Sequence, residues 1–485
     1  MTPRERFLAA AVVALVTGLV FVRTLGCHFV AFDDPKTVLE NVHIRDFSAA
    51  NLRWMFTADY MGHWHPLTWL TLALDWQLWH GQPGGFHLQN LLWHTLSAVL
   101  VFVLLRSLLP GDDRRTLWAA VAGALFWSIH PLRVESVAWI TERRDVVSGA
   151  FFLLALLGYL RRTLPGLALA FVAMGLSLLG KAWAITLPVL FLALDVWPLR
   201  RRFDTWQIWL EKLLFFFLAA LVAGFALKAQ SAGGALASLE EVAVWRRIGN
   251  ALFGLVFYPF KTLFPFDLVP IYEMSADSRI EFTRYAAGLT FTTMITIGLW
   301  WQRRRAPAGL AAWVCYGILV SPVLGLAQSG AQAVADRYSY LAALPFAALF
   351  GLFVQRFAIS RWLVPPWLAG LALGSVLQCG MWHDAETLWR ETLVRQPHNA
   401  TANYNLGLIA LDAGDLASAE RLFRRALDTN PRDPLTLNNL ATLLFQTGRE
   451  REAIGLWQRA IRWRGAEDAQ RNLDEVRKRR PELFR

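Results

Sequence analysis

Charge is scarce in this sequence. Of its 485 residues only 18% are Asp, Glu, Lys or Arg, while 55% are hydrophobic and the mean hydropathy is +0.35. A water-soluble chain of this length carries more charge, about 25%. Cysteine is almost absent: Cys27, Cys315 and Cys379 lie far apart with no CxxC among them. No disulfide framework and no metal-ligand spacing follow from them. The segment FHLQNLLWH places His87, Asn90 and His94 on one helix face but lacks the glutamate of HExxH. Hydrogen bonding is therefore preferred over zinc ligation there. The N-terminal run MTPRERFLAAAVVALVTGLVFV lacks a small-x-small cleavage site followed by soluble sequence, so it reads as an anchor. Broken apolar segments do not recur in corresponding halves, which argues against a transporter.

What is abundant is aromatic and apolar. The 23 Trp and 32 Phe fit a polytopic membrane protein with aromatic belts at both interfaces. Eleven spans are expected, at 7–22, 87–106, 116–130, 145–160, 164–180, 183–199, 207–228, 285–301, 308–326, 340–355 and 362–379. The net charge of +11 would suit a nucleic-acid binder, but the arginines fall in short clusters between apolar runs. Such clusters read as topology signals and lipid-headgroup contacts. With Arg4 and Arg6 in the cytoplasm, eleven spans put every cluster inside: Arg106/Arg114/Arg115, Arg161/Arg162, Arg200/Arg201/Arg202, Arg303/Arg304/Arg305 and Arg356/Arg361. The apolar stretch 248–264, with Pro259 and Lys261, is then re-entrant or interfacial, because a twelfth crossing would send the last two clusters outside. The outer face receives loop 23–86, stretch 130–145, Lys181, loop 229–284, stretch 327–339 and everything after 380.

After residue 380 a 34-residue period appears. Ala385, Ala419 and Ala453 are in step, as are Trp389, Phe423 and Trp457, and Gly414 with Gly448. This resembles the tetratricopeptide repeat, with helices at 400–413, 416–429, 434–447 and 450–463, one at 383–396 before them and a cap after. The repeat carries no catalytic constellation. Stacked helix pairs offer a groove for protein segments, although a purely structural cap is the plainer reading.

Chemistry is expected on the outer face. Asp33 and Asp34 sit just past the first span. Paired carboxylates repel, which raises one toward the range of a general base, though solvated loop acids would look the same. In HPLRVESVAWITERRDVVSG, Glu135 can neutralise one arginine and leave another to hold a phosphate. Lys181 at an outer helix end can snorkel or reach a phosphate, and AVADRYSYL adds Asp336, Arg337 and Tyr338.

The order FDDPKTVLEN, HWHPLTWL, FHLQNLLWH, HPLRVESVAWITERRDVVSG, GKAWAIT, ADRYSYL and then repeats resembles the transmembrane-and-tetratricopeptide-repeat O-mannosyltransferases and their bacterial relatives. They belong to the GT-C superfamily of glycosyltransferases. The resemblance implies an all-α fold: a GT-C-like polytopic helical bundle over 1–380, and an extracytoplasmic α-solenoid of tetratricopeptide repeats over 381–485. It implies an inner-membrane enzyme that moves a sugar, mannose first, from a polyprenyl-phosphate carrier to Ser or Thr hydroxyls of an exported protein. That protein would meet the repeats. No metal or other cofactor is required beyond the lipid-linked sugar donor.

By the same resemblance Asp33 and Asp34 are the catalytic acidic motif. Arg143, Lys181 and Arg337 hold the donor phosphate, with His65, His87, Asn90, Glu135 and Asp145 in support. Two departures concern the donor contacts: Ala182 stands where the family often has Glu, and His65 where it often has Arg. The competing readings are a GT-C enzyme acting on a lipid or surface glycan, and a non-catalytic membrane scaffold whose repeats recruit partners.

Overall fold

The computed structural model describes residues 1–232, 242–274, 278–328, 330, 332–358 and 360–484. The expected outer loop 229–284 lies partly outside these residues. Two compact units emerge, one over Met1–Met274 with Ser278–His383 and one over Asp384–Arg485.

The first unit is a helical bundle. Each of the eleven expected spans carries a helix: α1 (Pro3–Phe21), then, after the short helices α2 (Ala49–Thr57) and α3 (Pro66–Trp79), α4 (Pro83–Leu108) and α5 (Arg114–Ser128). The short α6 (Val134–Ala138) precedes α7 (Arg143–Leu160), α8 (Leu164–Gly180), α9 (Leu187–Val196) and α10 (Trp206–Ala232). After α11 (Val244–Leu263) come α12 (Ser278–Gln302), α13 (Pro307–Val320), the short α14 (Ser339–Ala342), α15 (Leu344–Arg356) and α16 (Ser360–Met381). Among the described residues, four helices are long and apolar enough to cross a membrane alone, and two bent pairs pass the same test together. The chain is an integral membrane protein.

The stretch 248–264, expected to be re-entrant or interfacial, is helical. Val244–Leu263 is one unbroken helix packed against α12, with Pro259 accommodated inside it. Among the described residues, a two-stranded antiparallel ribbon, β1 (Tyr272–Glu273) with β2 (Gln332–Val334), departs from the all-helical reading.

The two bends have polar causes. Arg114–Ser128 and Pro131–Ala138 meet at 55°, where His130 caps the next turn by accepting from the Leu132 N–H and Pro131 starts it. Asp336–Ala342 and Leu344–Arg356 meet at 59°, with Pro345 in the first turn of α15. Proline is tolerated in a first turn, where its missing N–H has no intrahelical partner. Each bend lifts a charged residue out of the apolar span, Glu135 in one and Arg337 in the other.

Small residues let α7 and α8 approach closely. A Cβ on Gly158 would lie 2.8 Å from the Ala170 nitrogen and 2.8 Å from the Gly166 oxygen. Packing of this kind holds helices together in lipid, where burial gives little drive.

The second unit stacks α17 (Ala385–Arg395), α18 (Ala400–Asp412), α19 (Leu416–Thr429), α20 (Pro434–Gln446), α21 (Glu450–Ala460) and α22 (Glu467–Arg479). Asp384, Asn399, Asp415 and Asp433 each accept from a backbone N–H three residues on, satisfying an orphan donor of the helix that follows. Gly414 and Gly448 turn the chain at φ +78° and +86°. Their in-step spacing is thus a spacing of turns, and Ala419, Phe423, Ala453 and Trp457 are the buried counterpart.

Gly158→Leu should separate α7 from α8 and cost about 1–3 kcal/mol of stability. Gly175→Leu, where an added Cβ meets nothing within 4 Å, should leave the melting temperature of the detergent-solubilised protein unchanged.

Candidate functional site

The segment between α5 and α7 cannot run as one helix. Trp139 sits alone in an extended conformation (φ −86°, ψ 116°) between α6 and a 3-10 turn at Ile140–Glu142. The break exposes carbonyls, and the Asn90 side chain on α4 donates to two of them, Val137 at 3.1 Å and Trp139 at 3.2 Å. Asn90 therefore supports the loop and makes no contact with the acidic pair.

This broken segment aims Glu142 into a group of cations. Arg144 donates to it in a fork at 2.6 and 3.1 Å. Lys181 Nζ lies 3.3 Å away and Arg337 Nε 3.2 Å away. Lys181 also holds Asp145, and Arg337 also binds Glu135 through its guanidinium and through its backbone N–H at 2.7 Å. Asp145 accepts from Ser136 Oγ at 2.9 Å. Three carboxylates thus face three cations. Burial alone would raise Glu142, but Arg144, Lys181 and Arg337 overcome that and hold it well below the usual carboxylate range. The β ribbon delivers Arg337: strand β2 ends at Val334, and Tyr272 of β1 donates to Asp336 at 2.9 Å.

Asp33 and Asp34 take different parts. Asp34 is fully buried and accepts three hydrogen bonds, from Val30 N–H at 2.9 Å, Thr141 N–H at 3.0 Å and Thr141 Oγ at 2.6 Å. Burial pushes it up to about 6 in spite of them. Asp33 is half-buried, and its carboxylate has no hydrogen-bond or ion-pair partner among the described residues. Burial raises it too, while Arg144 and Arg337 pull it back. Asp33 is the carboxylate left available.

Two histidines complete the rim. His65 is buried against Trp69, with ring centroids 4.4 Å apart, and 5.7 Å from the His63 ring. Burial and the nearby Arg144 push His63 down to about 3, so it is neutral at pH 7. Burial also places His65 well below its usual value.

Arg143, expected as a phosphate ligand, is placed elsewhere. Its guanidinium is wholly buried, bonds Asp75 at 2.5 Å and the Phe86 carbonyl at 2.7 Å, and also reaches the Asn90 carbonyl. His87 is buried on that same helix beside the backbone of Cys27 and His28. Arg144 occupies the position expected of Arg143. Neighbouring residues on a helix point about 100° apart, so only one of the two can face the cluster. Sequence reasoning also passed over Glu142 and His63. The signal for Glu142 was its place in TERRD, an acid among three cations of which two are remote in sequence.

Among the described residues, no three His, Cys, Asp or Glu side chains are grouped to hold a metal ion. The arrangement offers one proton acceptor beside fixed positive charge, as a displacement with an anionic leaving group requires.

Family models for the tetratricopeptide repeat match residues 377–434 and 410–481. The chain is 32% identical over 154 residues to protein O-mannosyl-transferase Tmtc2 of Drosophila melanogaster, which is 30% of this chain and 16% of that protein. It is 28% identical over 166 residues to human protein O-mannosyl-transferase TMTC3, 32% of this chain and 17% of that one. Protein O-mannosyl-transferase F38B6.6 of Caenorhabditis elegans is 23% identical over 431 residues, 85% of this chain and 61% of the relative. In each case the match spans less than two thirds of the relative's length. Among solved structures, ArnT from Cupriavidus metallidurans bound to undecaprenyl phosphate aligns with a TM-score of 0.41 at 16% identity, covering 91% of this chain and 80% of that one.

Asp34→Ala should strand the Val30 and Thr141 donors at about 1–3 kcal/mol each and lower the melting temperature, whereas Asp33→Asn should leave it near wild type. The folded Asp34 pKa lies above the unfolded value of about 3.9, so its ionisation costs stability as pH rises. That cost should build up between about pH 4 and pH 6 and be missing from Asp34→Ala in a melting series across that range.

Proposed function

We propose that this chain is a membrane glycosyltransferase of GT-C type that moves a sugar, mannose first, from a polyprenyl phosphate to Ser or Thr hydroxyls of an exported protein. The observation that carries this reading is the available Asp33 carboxylate, which feels the charges of Arg144 and Arg337, two cations that share Glu142 with Lys181. The similarity to protein O-mannosyl-transferases, part-length as it is, supports the sugar and the acceptor class.

In this reading the acceptor hydroxyl oxygen attacks the anomeric carbon and its proton passes to Asp33. The bond from that carbon to the phosphate oxygen breaks, and its electron pair leaves with the phosphate. One in-line displacement inverts the centre. A phosphate leaving group needs little acid help, so electrostatic stabilisation is the larger contribution. Arginine has five N–H donors and lysine three, so these side chains keep donors for phosphate while held by Glu135, Glu142 and Asp145. Lys181 is the most exposed of the three cations, at 18% of its side chain, and is the first contact. Neutral His63 is suited to hydrogen-bond the sugar.

In this reading the site lies on the extracytoplasmic side of a bacterial inner membrane, with the N-terminus cytoplasmic, as the arginine clusters suggest. Residues 381–485 form a domain that recruits or positions the acceptor.

Asp33→Asn should lower transfer of label from polyprenyl-phosphate mannose into protein by about 10²–10⁴. Arg144→Gln should lower the rate and also lower the melting temperature, because Glu142 loses its forked partner. Arg143→Gln should lower the melting temperature by stranding Asp75. The rate should also fall on the acid side as Asp33, raised by burial, takes up its proton. Label entering lipid or glycan instead would move the acceptor class. A fully active Asp33→Asn would remove the base, and no transfer from any donor in a panel would favour a scaffold.

A further inference from the structure

The basic clusters that set topology do not all end in water. At one end of the bundle α16 stands off the closely packed pair α5 and α15 and leaves an open trough of about 520 Å³. Its floor is apolar, with Leu125, Val354 and Leu368, and its rim carries Arg115, Arg361 and Trp118. Both arginines are exposed, as is Trp118 at 56%.

The nearby acids are already engaged. Asp112 is paired with Arg6 at 2.7 Å and Arg106 at 2.5 Å. Asp113 accepts from the Thr116 N–H at 2.8 Å and from its hydroxyl at 2.6 Å. Among the described residues neither Arg115 nor Arg361 has a salt bridge. Arg361 lies over the Trp362 ring, 5.6 Å from its centroid, and Trp362 is 70% exposed. Exposed tryptophan beside arginine marks the headgroup level of a membrane.

The trough is remote from the carboxylate–cation cluster. Arg115 opens α5, whereas His130 and Glu135 follow its far end. Fifteen residues of helix separate them by roughly 20 Å. Arg361 opens α16, whose other end reaches Trp382, stacked on Trp139 at 5.8 Å.

We propose that this trough binds one anionic phospholipid, its phosphate held between Arg115 and Arg361 and an acyl chain laid along Leu125, Val354 and Leu368. Charge complementarity selects the headgroup, and the depth of apolar floor selects a lipid over a free anion. The lipid acts as a wedge that joins α16 to α5 and α15.

The test is native mass spectrometry and melting of the full-length protein in detergent, with phosphatidylglycerol, phosphatidylcholine or inorganic phosphate added. Phosphatidylglycerol should give a retained one-lipid adduct and a saturable rise in Tm, and the other two should give neither. The R115Q/R361Q variant should lose the adduct and the rise while keeping the lipid-free Tm. Ala358→Trp, which fills the trough while keeping both arginines, should lose them as well and serves if the double variant does not fold. An equal rise with phosphatidylcholine or phosphate overturns the proposal, as does a rise that survives Ala358→Trp.

Discussion

A carboxylate taken out of water needs compensating charge, and Glu142 has it from three directions. Removing one ion of such a group leaves the others uncompensated in a poorly solvated place, typically at about 3–5 kcal/mol. The group therefore ties together three parts of the chain: the broken segment before α7, the turn after α8 that carries Lys181, and the ribbon that delivers Arg337. The bends beside Pro131 and Pro345, the isolated extended Trp139 and the Asn90 cap all serve to bring these side chains to one point.

On the proposed reading, that arrangement also explains why opposite charges stay together where a phosphate would bind. Three bare cations at this depth would repel one another and lose their hydration. Glu135, Glu142 and Asp145 keep them ionised and fixed in direction before any phosphate arrives. An incoming anion meets donors already aimed, with little reorganisation at the moment of reaction.

Much of the architecture was legible because it rests on periodicity. Each apolar run read as a span coincides with a helix, and the step of Ala385, Ala419 and Ala453 located the solenoid to within a few residues at most helix ends. Gly414 and Gly448 were readable since a left-handed turn is where glycine is needed. The site was legible by region more than by residue. Two adjacent pairs, Asp33 with Asp34 and Arg143 with Arg144, each divide one structural and one available member. Which is which depends on helix phase and on remote partners such as Thr141 and Asp75, and no local pattern encodes them. The ribbon escaped notice because strands of two and three residues have no period to detect. The arginine clusters bear on the number of crossings only, and the helical conformation of Val244–Leu263 was not readable from them.

The three hydrogen bonds of Asp34 have a mechanical meaning. They clamp the backbone on both sides of the acidic pair, at Val30 and across to Thr141, one residue before Glu142. On the proposed reading, the base and the cation cluster are therefore two ends of one short rigid strut. A substrate that pulls on the phosphate end also sets the reach of the carboxylate end. Opening such a site by swinging the first loop away would break both bonds to Thr141 at once. Entry and exit of a long lipid are then easier by parting the helices around the strut than by moving the strut itself.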